Sequence, residues 1–148
     1  MTEILIDTNV LVYSCDLSAS QKKVRAREVL LGLQSRQQGS LSIQSLAEFF
    51  NVISRGKLPE ISLAEAEIQA DYFLRMFPVF PITPNIVRQA IRAVRSYSLS
   101  YYDAQIWACA HLHQIPTIFS EDFQDGLVLE GVRFVNPFAE NFELEKWL

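Results

Sequence analysis

The segment EILIDTNVLVY, residues 3–13, decides the fold. Glu3–Asp7 is a short apolar run ending on an acid and reads as a buried strand, and Thr8 and Asn9 carry the chain straight into a helix. The rest of the chain continues the alternation. Gln21–Gln38 reads as a long helix with a basic outer face, ended by Gly39. Leu41–Ile43 reads as a strand, followed by a helix from Gln44 or Ser45 to Arg55 that stops at Gly56. Ser62 with Glu65 three residues later forms a capping-box pattern and opens a helix to about Phe77. Pro78–Ile82 is the next strand, and Thr83-Pro84 supplies a cap and a first-turn proline for a helix over Asn85–Tyr97. A further helix begins at Ser100 or Tyr102 and runs through His113. Pro116 then precedes the strand Thr117–Ser120, and Val132–Val135 is the last strand, closed by Asn136-Pro137. Short apolar strands alternating with helices predict an α/β fold whose parallel sheet is covered on both faces, and such sheets carry their sites at the carboxyl ends of the strands.

The 148 residues are 49% apolar and 20% charged, and they contain no internal repeat, low-complexity tract or linker rich in Gly, Pro or Ser. One domain over residues 1–148 is predicted, with a tail from about residue 138. Cys15 and Cys109 lack a C-x-x-C or Cys/His spacing, so they read as core thiols in a reducing compartment and not as a zinc site. No run approaches the ~18 apolar residues of a membrane span, and Glu3 and Asp7 stand where a signal peptide wants basic residues; a cytoplasmic protein is expected. The net charge is -4. Acids dominate from Glu121 to the end, whereas Gln21–Leu58 is locally basic, which argues against broad salt-driven nucleic-acid affinity but allows a confined phosphate-binding surface.

Four acids fall at strand-to-helix junctions or helix starts: Asp7 after ILI, Glu48 within LAEFF, Asp103 within YYDAQIW and Asp122 after TIFSE. Each has a structural alternative. Ser45-x-x-Glu48 and Ser100-x-x-Asp103 match helix caps, and Asp7 with Asn9 matches an Asx turn, roles worth about 0.3–1 kcal/mol each near a helix start. Taken together, four such caps would leave uncompensated negative charge along one rim of the sheet, flanked by apolar residues that desolvate it. A hard divalent cation resolves that repulsion. Carboxylates without Cys or a His cluster select Mg2+ or Mn2+, and an ion so held activates water against a phosphodiester. Metal-dependent phosphodiester hydrolysis is therefore the reading of the residues themselves. A haloacid-dehalogenase-type phosphatase is disfavoured, because D-T-N after the first strand lacks a second Asp two residues on.

In these segments the chain resembles the PIN-domain nucleases. IDTNVLVY (residues 6–13), QSLAEFFNV (44–52), YYDAQIWACA (101–110) and SEDFQDG (120–126) are similar to that family's four acidic motifs, in the family's order and across Ile4–Pro137. The nearest likeness is to the VapC-type toxins of bacterial toxin–antitoxin pairs. The resemblance implies a three-layer α/β/α sandwich around a mainly parallel sheet, and a Mg2+- or Mn2+-dependent endoribonuclease site. Asp7, Glu48, Asp103 and Asp122 would be the catalytic, metal-binding carboxylates, supported through hydrogen bonds by Thr8, Asn9 and Ser120. Ser120 stands where the family usually has Thr, and Asp125 and Glu121 compete with Asp122 as the fourth acid. It also implies an RNA substrate, a cognate antitoxin of the VapB kind that inserts a basic side chain among the acids, and a homodimer. The alternatives are a PIN-type RNA-processing nuclease without an antitoxin and a non-catalytic PIN-like interaction domain.

Arg88, Arg92 and Arg95 share one face of their helix, and Arg55 shares a face with Gln44, Glu48 and Asn51; these four arginines are the candidate RNA contacts. Lys22, Lys23, Arg25 and Arg27 read as a solvated face. Leu46, Phe49, Phe50 and Ile53 read as a buried face, Trp107 and Phe73 as core, and His111 and His113 as residues in ordinary packing or solvent contact that point to different sides. Phe142, Leu144 and Trp147 give the tail an apolar side that either packs on the domain or joins a dimer.

Overall fold

The computed structural model describes residues 3–16, 18, 20–55 and 61–148. The order is β1 (Ile4–Ile6), α1 (Thr8–Tyr13), α2 (Ser20–Ser35), β2 (Gly39–Ser42), α3 (Ile43–Ser54), α4 (Leu63–Met76), β3 (Val79–Phe80), α5 (Pro84–Tyr97), α6 (Tyr101–Leu112), β4 (Thr117–Phe119), β5 (Val128–Leu129) and β6 (Val132–Val135), with a final 3-10 turn at Leu144–Lys146. The expected helix stop at Gly56 lies outside the described residues.

The strands form a sheet in the order β3-β2-β1-β4-β6-β5. Ile4, Leu5 and Ile6 are almost inaccessible because β1 sits at the centre, paired in parallel with β2 on one side and β4 on the other. Side chains alternate across it. Ile4 and Ile6 join a core with Leu11, Leu33, Phe49 and Phe73 from α1 to α4, while Leu5 joins Ile86, Ala90 and Trp107 from α5 and α6 on the opposite face. This is the mainly parallel, three-layer α/β arrangement expected. The addition is β5, which pairs antiparallel with β6 through a tight turn in which Glu130 (φ 47) and Gly131 (φ 84) both adopt left-handed backbone.

Local chemistry explains most helix starts. Ser62 accepts from the Glu65 N–H (3.1 Å) and Thr83 from the Ile86 N–H (3.3 Å), as their spacing predicts. In α3 the cap is Ser42, accepting from the Gln44 N–H at 3.2 Å, so Ser45 lies inside the helix and is buried, not a cap. Ser100 flanks α6 without a side-chain cap bond. Phe49, Phe73 and Trp107 are core, but Phe50, one step further round α3, is 38% exposed and does not belong to the buried face. Both cysteines are buried, and burial pushes the Cys109 thiol up to about 12. His111 stacks on Trp107, and the exposed His113 bonds the Cys109 carbonyl, within the packing or solvent contact expected of them. The tail packs on the domain: Phe142 and Trp147 meet Phe119 edge-on at 5.5 and 5.9 Å. Among the described residues, no helix is long and apolar enough to cross a membrane.

Gly39 does not end α2. The turn falls at Gln37 (φ 55), and Gly39 is the first residue of β2. It is glycine because of close packing: a Cβ there would lie 2.8 Å from Phe77 Cε1, 3.0 Å from Leu33 Cβ and 3.1 Å from Ile6 Cδ1. Gly39→Ala is expected to destabilise the protein by about 1–3 kcal/mol through overpacking, read as a lower urea midpoint at unchanged m-value.

Candidate active site

Register builds the site. Ile6 lies beside Leu41 of β2 and Phe119 of β4, so the next residues along the three strands, Asp7, Ser42 and Ser120, reach the same rim together. Strand order reverses there: the chain runs outward from β1 to β2 and β3, then returns to place β4 on the other side of β1. A crevice at such a reversal is where open α/β sheets bind ligands.

Asp7 caps α1, its Oδ1 accepting from the Thr8 N–H (2.8 Å), while Oδ2 accepts from the Ser120 hydroxyl (2.7 Å). The cap reading and the site reading thus describe the same residue. Ser120 Oγ accepts in turn from the Asn9 amide and the Asp122 N–H, both at 3.1 Å. Asn9 Nδ2 also donates to Asp122 Oδ2 at 3.2 Å, and Asn9 Oδ1 accepts from the Glu121 N–H at 3.3 Å. The Thr8 hydroxyl donates to Glu48 Oε2 at 3.2 Å. Thr8, Asn9 and Ser120 therefore link Asp7, Glu48 and Asp122 into one network. Asp103 enters from α6, whose C-terminal end leads directly into β4, so its first turn lies toward the carboxyl rim.

The electrostatics show a deficit of positive charge. Burial pushes the Asp7 carboxyl up to about 6; the bonds from Ser120 and Thr8 oppose this, and the charges of Asp122 and Glu48 add to it. Asp122 is open to solvent on one side, yet its carboxyl is also raised, first by partial desolvation and then, against the bond from Asn9, by the charges of Asp103, Glu121 and Glu48. A cleft of about 360 Å³ opens beside these groups, lined by Val12, Tyr13 and Val52 together with Glu48 and Asp122.

The donor set suits a hard cation, since a buried carboxylate held by neutral donors and surrounded by other acids lacks a counter-charge. The four acids do not form a closed cage. Among the described residues, no three His, Cys, Asp or Glu groups converge closely enough to ligate one ion. Both Asp7 oxygens and both Glu48 oxygens are occupied by protein donors. Mg2+ takes one or two carboxylates and keeps several waters, a mode that needs no closed cage.

A family model described as "PIN domain" matches residues 4–124, a span that includes all four acids. The chain belongs to the PIN-domain family. No curated protein matches it by sequence. Among solved structures it is similar to a toxin–antitoxin complex from Klebsiella pneumoniae, at 20% identity and TM-score 0.64 over 90% of this chain and 97% of that one. It is also similar to Mycobacterium tuberculosis VapC20, described as a sarcin–ricin loop cleaving toxin, at 17% identity and TM-score 0.63 over 80% and 89% of the two chains. VapBC2 of Rickettsia felis, solved bound to a DNA fragment from its promoter, matches at 14% identity and TM-score 0.64 over 88% and 96%. At these identities the likeness establishes a shared fold.

In this PIN domain Asp122 sits in the acidic network, whereas Asp125 accepts from the Asn136 N–H at 2.8 Å and tethers the end of β6. Arg92 is committed elsewhere: its guanidinium pairs bidentately with Glu130 at 2.8 and 3.0 Å, and that pairing, with a bond from Tyr97, pulls the Glu130 carboxyl down to about 2. Arg55, Arg88 and Arg95 are exposed. Lys22 is not simply solvated. Its ammonium lies 2.8 Å from Glu121 Oε2, 3.2 Å from the Tyr13 hydroxyl and 4.6 Å above the Tyr13 ring, tying α2 to the loop that carries Asp122. Sequence reading also missed two buried glutamines, Gln44 and Gln105. The available signal was Gln105 itself, the one amide in the otherwise apolar run Ala104–Ala110, which must find a partner if buried.

Proposed function

We propose that this PIN domain is a metal-dependent endoribonuclease and the toxin of a toxin–antitoxin pair. The observation that carries the reading is Asp7: a buried carboxylate, raised by burial and by two neighbouring acids, at the sheet's topological reversal and beside an open cleft. Asp7, Glu48, Asp103 and Asp122 would hold Mg2+ or Mn2+, one or two of them directly and the others through its waters, with Thr8, Asn9 and Ser120 fixing the carboxylates. The bound ion would offset the repulsion between these acids and a phosphodiester, activate water, and neutralise charge developing on the leaving oxygen. Ser120 and the Thr8 N–H keep the two Asp7 oxygens from rotating, and Asn9 ties Asp122 to the same serine. Arg55, Arg88 and Arg95 are the groups available to anchor RNA phosphates outside the cleft.

The toxin role is favoured because the similar structures include a toxin–antitoxin complex and a promoter-bound VapBC pair. A basic side chain from an antitoxin, seated among these acids, would supply the same counter-charge while closing the cleft. A cytoplasmic homodimer is part of the same proposal. The purified protein is expected to cut RNA internally with Mn2+ and to lose that activity in EDTA, and sequencing RNA 5′ ends after brief induction maps the sites. Intact RNA with Mn2+ present, together with normal growth on induction, would overturn the nuclease reading. Cleavage by a protein that neither inhibits growth nor has an adjacent small partner gene points instead to RNA processing.

A further inference from the structure

The side chain fixing the second Glu48 oxygen belongs to a buried chain of amides. The Gln44 Nε2 donates to Glu48 Oε1 at 2.7 Å and to the Tyr102 carbonyl at 3.1 Å. The Gln44 Oε1 accepts from Gln105 Nε2 at 2.7 Å, and the Gln105 Oε1 accepts from the Tyr101 hydroxyl at 2.8 Å. Both glutamines are 5% exposed.

One backbone carbonyl sets the polarity of the whole chain. The Tyr102 oxygen can only accept, so the Gln44 nitrogen must face it; the Gln44 oxygen must then face Gln105, and the Gln105 oxygen must face the tyrosine hydroxyl. Flipping either amide would set oxygen against oxygen in a buried place. The consequence falls on Glu48. Its Oε1 meets a donor that cannot turn away, while Thr8 holds Oε2 at 3.2 Å, so the carboxylate is clamped at both ends. The same amides bridge α3 and α6, the helices that carry Glu48 and Asp103.

Packing alone gives no reason for amides here, since a leucine of similar size would fill either place without polar atoms to satisfy. We infer that Gln44 is a positioning residue for Glu48, oriented by the Tyr102 carbonyl and braced through Gln105 and Tyr101; the inference rests on the nuclease reading above.

The test uses the full chain, Mn2+ titration by calorimetry, and RNA cleavage followed against both Mn2+ and RNA concentration. Q44L is expected to weaken Mn2+ binding by about 10–100-fold, the usual consequence of losing the partner that orients a metal ligand. Its loss of kcat should close as Mn2+ is raised, with KM for RNA unchanged; a merely structural role would lower the active fraction at every Mn2+ concentration. Q105L and Y101F leave Gln44 facing the Tyr102 carbonyl but take the brace from its oxygen, directly or through Gln105, and should fall between wild type and Q44L. Y101F removes only a hydroxyl from a half-buried ring, so it keeps the test decisive if Q44L does not fold. A second readout needs no activity: E48A should shift the side-chain amide resonances of Gln105, identified by their absence in Q105L. Wild-type Mn2+ affinity in Q44L, or in both Q105L and Y101F if Q44L does not fold, overturns the positioning role alone, as does an unmoved Gln105 amide in E48A. A wild-type protein that takes up no Mn2+ defeats the nuclease reading and this role together.

Discussion

Asp103→Asn and Asp7→Asn proteins are expected to fold and to cut RNA more than about 100-fold more slowly than the parent, because about 100-fold is already the upper range for losing a partner of a metal ligand, and these changes would remove ligands themselves. The two substitutions differ in what else they disturb. Asp103 lies half-buried in the first turn of α6 and is not needed as its cap, so the neutral amide is a nearly isosteric loss of charge. At Asp7 an asparagine keeps the bond from the Thr8 N–H but turns a donor toward Ser120 Oγ, which already accepts from Asn9 and from the Asp122 N–H. A hydroxyl has two lone pairs, so one of three donors goes unmet, at about 1 kcal/mol. D103N is thus the cleaner probe. Single-turnover cleavage in Mn2+, alongside thermal melts monitored by circular dichroism, checks both. Parental cleavage by well-folded D103N would remove Asp103 from the site.

The chain shows why some of this was legible from residue order and some was not. A three-residue strand such as Ile4–Ile6 is readable because a parallel strand buried on both faces is apolar throughout, and the acid that follows it marks its carboxyl end. Asp7 could be singled out because it closes β1 and caps α1, and Asp103 because it stands in the first turn of α6; Glu48, in the second turn of α3, and Asp122, in the loop after β4, stand out only by the apolar residues around them. The β5–β6 hairpin was missed because its turn uses Glu130-Gly131 in place of the usual Asn-Gly or Asp-Gly, and because two residues are too short to show a period. Gly39 was misplaced because glycine marks both helix ends and close packing, and only the neighbouring Phe77, Leu33 and Ile6 distinguish the two. What joins the acids was legible only through the family resemblance, which implied Thr8, Asn9 and Ser120, and the Gln44–Gln105 pair was beyond reach. Ser120 and Asp7 are 113 residues apart, and Gln44 and Gln105 are 61 apart, so these bonds exist only once the strand register is set.

The same burial that marks Asp7 predicts that stability without metal falls as pH rises. The sign follows from where the proton sits. Asp7 titrates near its ordinary 3.8 when unfolded and at about 6 when folded, so between those values the folded protein retains a proton that the unfolded chain has released. The advantage is complete below the unfolded value and is lost as pH rises through the folded one, a total of about 3 kcal/mol at 1.36 kcal/mol per pKa unit. Asp122 is shifted in the same direction. Glu130 works the other way, but its carboxyl is held down to about 2, so its contribution is present above its ordinary 4.5 and is lost as pH falls from there toward 2, below the range tested. Urea denaturation in EDTA from pH 4.5 to 7 should therefore show decreasing stability, and Asp7→Asn should remove most of the slope. Adding Mn2+ at pH 7 should restore much of the loss, because a ligand that binds only the folded state stabilises it by mass action and a cation supplies the counter-charge the carboxylates lack. Stability that rises across this range in EDTA would mean that Asp7 is ionised at little cost. The charge deficit that favours a metal or a basic antitoxin in the cleft would then not exist.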